Sequence, residues 1–125
     1  SEAGYCDVLI PQVYFGFENE AAPFSETVTE WVQTVTCDSV SLVIGIGTHK
    51  YGKVDQWAGS GSMEWTTQWD LPVRQATQVL ETDGTDGLAV YDYATTFLPE
   101  SNAERMAQQV EQLGALLRGM PADPL

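Results

Sequence analysis

Two hydrophobic rhythms alternate along this chain. Three short apolar runs, CDVLIPQVY (Cys6 to Tyr14), VSLVIGIGT (Val40 to Thr48) and GLAVYDY (Gly87 to Tyr93), turn polar or aromatic at their ends, and each is followed by a loop and a stretch with helical spacing. Near-continuous apolar strands alternating with amphipathic helices predict an α/β fold with a parallel sheet covered by helices. Sheets of this kind hold ligands at the carboxyl ends of their strands. The residues just after each strand are therefore the first place to look for chemistry.

The spacing predicts a first helix from Ser25 to Thr36, with Ser25 as N-cap and Val28, Trp31, Val32 and Val35 on one face. A second helix is predicted from an Asp70 cap to Thr82, with Pro72 tolerated in its first turn, Val73, Ala76 and Leu80 on one face, and Gly84 releasing the chain. Ser101 and Glu104 form a capping box for a third helix, striped by Met106, Val110, Leu113 and Leu117 and ended by Gly119 and Pro121. The domain is read as residues 1–119, with a loose tail over residues 120–125. Two connections are long, Phe15 to Phe24 and His49 to Trp69, and loops beyond about 12 to 15 residues are functional or disordered. Trp57, Trp65 and Trp69 in the second argue against disorder.

Alternation along the strands assigns faces. Leu9, Pro11 and Val13, Val40, Leu42, Ile44 and Ile46, and Leu88 and Val90 suit the helix layer. Gln12, Tyr14, His49, Tyr91 and Tyr93 then point to the other side and converge at the strand ends, where Gly45 and Gly47 leave room. Pro11 breaks the pattern, because proline supplies no ladder donor. A polar and aromatic rim of this kind suits a sugar, whose C–H faces stack on rings while amides and phenols bond its hydroxyls. The alternative is a core whose tyrosines are satisfied by water.

Glu18 and Glu20 in the first connection, and Asp55, Glu64 and Asp70 in the second, are the carboxylates nearest the rim. Glycoside cleavage needs two carboxyl groups, about 5 to 5.5 Å apart for retention and about 6.5 to 9.5 Å apart for inversion. Glu64, beside Trp65, suits a general acid raised by desolvation. Asp70 reads as a cap, and Asp92 has helix-facing parity. His49 and Lys50 are candidates for binding a hydroxyl or carboxylate. GIGTHKYG lacks phosphate-loop spacing, and no metal cluster or serine nucleophile elbow is present, so no cofactor is expected.

With 125 residues and 43% hydrophobic content, the chain can bury a core. Three strand-helix units are few, since a closed barrel of eight uses about 250 residues. Because its first strand begins almost at once, the chain reads as the C-terminal portion of a partial (β/α)8 barrel. Five basic against eighteen acidic residues give a charge of −13, which repels nucleic acid and anionic membrane alike. No apolar run approaches the roughly 18 residues of a membrane span. Cys6 and Cys37 precede the first and second strands, and either a disulfide or two buried thiols suits them.

DVLIPQVYFGFENEAAPF, then Glu30 and Trp31, SLVIGIGTHKYG, GSGSMEW, and Arg74 with Gln75 together resemble the C-terminal half of the glycosyl-hydrolase-like family 10 proteins, bacterial envelope or secreted (β/α)8 barrels distinct from the classical family 10 xylanases. The resemblance spans about Tyr5 to Phe97. It implies glycoside hydrolysis on a polysaccharide, with peptide-stripped peptidoglycan glycan as one associated substrate, and an extracellular or cell-envelope location. On that pattern Gln12, Tyr14, Glu18, Lys50, Gly52, Glu64, Trp65, Tyr91 and Tyr93 match the family's motifs. His49 stands where members often carry Tyr, and Asp92 replaces a small or variable residue. The Asp-rich strand end that members carry upstream lies outside this sequence, so the remainder of the barrel is an expected partner.

Three functions follow as expectations. The first is a glycoside hydrolase with Glu18 and Glu64 as its carboxylates and Gln12, Tyr14, His49, Lys50, Trp65, Tyr91 and Tyr93 around the sugar, inactive as a fragment. The second is a non-catalytic carbohydrate-binding or scaffold protein. The third is a protein-interaction module centred on the Trp-rich loop.

Overall fold

The computed structural model describes residues 7–35, 39–97 and 102–118. Cys6, Cys37, Ser101, Gly119 and the tail over 120–125 lie outside the described residues.

The fold is α/β, as the hydrophobic pattern predicts. Strands β1 (Val8–Leu9), β2 (Ser41–Gly47) and β3 (Gly87–Tyr91) form a parallel sheet in the order β1-β2-β3. Val8 pairs with Ser41, and the longer ladder runs from Val43 with Gly87 to Gly47 with Tyr91. β1 is much shorter than its apolar run. Pro11 interrupts the ladder, which resumes as a bridge between Gln12 and Gly45, where the Gly45 N–H donates to the Pro11 carbonyl and the Val13 N–H to the Gly45 carbonyl, both at 2.9 Å. A methyl group on Gly45 would stand 3.0 Å from that Pro11 oxygen, so glycine suits the close approach.

The helices are α1 (Phe24–Thr34), α2 (Glu64–Thr67), α3 (Leu71–Glu81), α4 (Tyr93–Phe97) and α5 (Ala103–Arg118). Leu42, Ile44 and Ile46 from β2 are buried with Phe24 and Val28 of α1, Ala76 and Val79 of α3 and Leu113 of α5. One face of the central strand thus anchors three helices. A smaller cluster of Tyr51, Trp65, Leu71 and Met106 packs the β2–α3 connection against the first turns of α3 and α5.

Three local expectations change. Pro23, not Ser25, occupies the N-cap of α1, and the Ser25 hydroxyl instead donates to Gln78 Oε1 at 2.7 Å, tying α1 to α3. Asp70 takes the N-cap position of α3 without a side-chain cap, and faces Arg74 one turn on at 3.7 Å. The third strand ends at Tyr91, two residues early, because Asp92 starts a helix. Its Oδ1 accepts the Thr95 N–H at 2.9 Å and the Thr95 hydroxyl at 2.7 Å, which makes it the N-cap of α4. These bonds also hold the Asp92 carboxyl below its ordinary pKa.

Candidate functional site

Tyr14, His49 and Tyr91 meet at the carboxyl end of the sheet. The Tyr14 and Tyr91 rings stack with centroids 5.4 Å apart and planes 26° from parallel. His49 stands edge-on to both, 5.1 Å from Tyr14 and 5.4 Å from Tyr91. Tyr91 closes β3, His49 lies two residues past β2 and Tyr14 two residues past the Gln12–Gly45 bridge, so strand alternation brings the three rings together. Gly47 makes the space, since a Cβ there would lie 2.7 Å from the His49 ring and 3.2 Å from Tyr14 Cδ1.

Burial and the neighbouring Lys50 charge lower the His49 pKa, so the imidazole is neutral near pH 7. Its Nδ1 is buried without a hydrogen-bond partner. Burial likewise raises the Tyr14 phenol, which stays protonated and able to donate. Tyr91 is 49% exposed, leaving a ring face open to solvent. Gln12 is exposed on the bridge to Gly45.

Lys50 is committed elsewhere. Its ammonium donates to the Tyr14 carbonyl at 2.6 Å and to Asp55 Oδ2 at 2.9 Å, and it lies 5.7 Å from the centre of the Phe15 ring. Asp55 is buried, so removing Lys50 strands its carboxylate at a cost of about 3 to 5 kcal/mol. Lys50 therefore fixes the backbone beneath Tyr14 rather than reaching for a hydroxyl.

Tyr93 does not join the rim. As the first residue of α4 it turns to the helix side and packs on Phe97 at 5.0 Å. There, with Leu88, Val90 and Leu113, the two rings line an open apolar groove of about 390 Å³. Trp65 is also absent from the surface: at 1% exposure it belongs to the smaller core, and no sugar can stack on it.

Glu64 is buried beneath the first connection. Its Oε2 accepts the Phe17 N–H and its Oε1 the Glu18 N–H, each at 3.0 Å. Gly16 leaves room for it, because a Cβ there would displace the carboxylate and stand 3.3 Å from Trp65 Nε1, an indole N–H without a partner. Burial raises the Glu64 pKa, the neighbouring Glu18 charge adds to the rise, and the two backbone N–H groups oppose it. Glu18 itself is exposed, and its Oε2 accepts from Gln68 Nε2 at 3.0 Å, while Gln68 Oε1 accepts from Arg74 at 2.6 Å. The two carboxylates chosen from sequence are neighbours, one buried and one solvated.

Thr48 is a residue the alternation argument overlooked. Its buried hydroxyl lies 2.7 Å from the Thr95 hydroxyl and 2.8 Å from that of Thr96, while its N–H donates to the Tyr91 carbonyl at 2.7 Å. It joins the ends of β2 and β3, and so fixes His49 relative to Tyr91. The spacing of Asp92 and Thr95, an acidic cap before a short polar turn, was the available signal for this junction.

Among the described residues no helix is long and apolar enough to cross a membrane, and no three His, Cys, Asp or Glu side chains are grouped to hold a metal ion. Comparison of the chain with protein-family models, curated proteins and solved structures returned no match.

Proposed function

We propose that this protein binds a polysaccharide at the mouth formed by Tyr14, His49 and Tyr91, as a sector of a glycoside-hydrolase-like (β/α)8 domain. The observation that carries this reading is the Tyr14–Tyr91 stack with His49 edge-on at the carboxyl end of the sheet. Such a surface offers a pyranose ring an aromatic face, phenol donors and a neutral imidazole together. Two features support the barrel. The three strands follow chain order, and the buried β2 side chains meet α1, α3 and α5 on one face, whereas a doubly wound sheet carries helices on both.

Calorimetric titration with peptide-free cell-wall glycan strands tests the reading. Binding is expected for the wild-type protein, with at least a tenfold loss in Tyr91→Ala at unchanged circular dichroism. An absence of binding, or equal affinity in the variant, removes the rim as a glycan site.

Hydrolysis is the second reading, favoured by the raised pKa of Glu64 beside the solvated Glu18. In this version Glu64 is the general acid of a bacterial cell-envelope enzyme, and further carboxylates come from the remainder of the barrel. Glu64→Gln then lowers product release by orders of magnitude while glycan still binds. Glycan binding without product release at any incubation time assigns the non-catalytic role instead.

A further inference from the structure

The second connection carries an aromatic side chain that neither core contains. Trp57 is 82% exposed, the most of any large apolar side chain among the described residues, and Val54 at 58% and Met63 at 53% are exposed on the same connection. This loop is held tightly.

Its neck is closed by the Asp55 N–H donating to the Ser62 carbonyl at 2.9 Å, and its turn by the Ala58 N–H to the Asp55 carbonyl at 3.1 Å. Across to the first connection, the Glu20 N–H donates to the Ala58 carbonyl and the Ser60 N–H to Glu20 Oε2, both at 2.9 Å. Gly59 sits at φ +60°, and neither it nor Gly61 leaves space for a Cβ against Glu20 and the Glu18 backbone. Trp57 is exposed on a fixed platform.

The same platform is wired to the rim. Asp55 Oδ1 accepts the Trp57 N–H at 3.3 Å, Asp55 Oδ2 accepts from Lys50, and Lys50 donates to the Tyr14 carbonyl. One buried ion pair therefore fixes the backbone of Tyr14 and that of Trp57 together. We propose that Trp57 is an outer stacking platform of the carbohydrate site, so that its ligand is a linear glycan long enough to cover both the Tyr14–Tyr91 pair and the second connection. This inference rests on the glycan reading above. A protein partner is the weaker occupant, because a stable protein interface buries more than about 1,000 Å², whereas one sugar face is satisfied by one indole.

The test is a ladder of N-acetylglucosamine oligomers from dimer to hexamer, titrated by calorimetry into the wild-type protein, Trp57→Ala and Trp57→Phe. In wild type the hexamer is expected to bind at least tenfold more tightly than the dimer. Trp57→Ala brings that ratio close to one, and Trp57→Phe restores part of it. Tryptophan emission shifts to shorter wavelength on hexamer binding in wild type and not in Trp57→Phe. A length ratio unchanged in Trp57→Ala overturns the platform while leaving the rim intact. If neither these oligomers nor the cell-wall glycan strands bind wild type, the glycan reading itself falls and the platform with it.

Discussion

The two faces of β2 are built from one alternating run and serve opposite ends. On the helix side Leu42, Ile44 and Ile46 are each at most 1% exposed and bring three helices together. On the other side Gly45 and Gly47 remove side chains altogether, so that the Pro11 carbonyl and the His49 and Tyr14 rings can close in. Bulk on one face supplies stability by burying apolar surface. Absence of bulk on the other supplies geometry, and filling it displaces the rings of the site at a smaller cost to the fold.

Three experiments break or sharpen this contrast, in falling order of effect. Ile44→Ala removes buried volume at the meeting point of the helices and is expected to cost about 2 to 5 kcal/mol in denaturant unfolding; a loss below about 1 kcal/mol would mean that the sheet face is not the anchor. Gly47→Val places carbon where the His49 ring now lies, and is expected to lower glycan affinity about tenfold while costing about 1 to 3 kcal/mol of stability. If stability falls as far as in Ile44→Ala with affinity unchanged, the two faces do not divide the work.

The smallest effect is a pH dependence. Burial and Lys50 lower the His49 pKa, while Asp92 and Asp55 oppose them and Lys53 adds to them. Below its ordinary 6.5 the unfolded chain binds the proton more readily than the folded one. Stability from this group is therefore complete above pH 6.5 and is lost as pH falls toward the lowered value. Glu64 has the reverse sign: its raised pKa lets the folded state hold a proton that the unfolded chain releases above 4.5, so its contribution declines as pH rises through that window. Thermal unfolding of His49→Gln is expected to lose the first slope and that of Glu64→Gln the second. Identical pH profiles in both variants and wild type would discard both assignments.

Much of this arrangement was legible in the amino-acid order. Alternation alone places Leu42, Ile44 and Ile46 on the helices and brings Tyr14, His49 and Tyr91 together, because a strand's period is fixed and its neighbours share its direction. Tyr93 departs from the alternation because period two no longer applies once Asp92 caps a helix. Lys50 holds the Tyr14 carbonyl and the Asp55 carboxylate, and a contact to a backbone carbonyl carries no sequence signal. The helix holding Glu64 and Trp65 spans only Glu64–Thr67, too short for any periodicity to show. Ser25 satisfied the composition of a cap, yet Pro23 had already set the entry angle.

The paired acceptance by Glu64 also couples two distant stretches of chain in time. Because one carboxylate receives the amides of both Phe17 and Glu18 from a helix 46 and 47 positions away, neither amide proton meets solvent until that helix swings clear. Opening of that helix therefore unprotects both amides together, and their exchange reports one shared opening equilibrium.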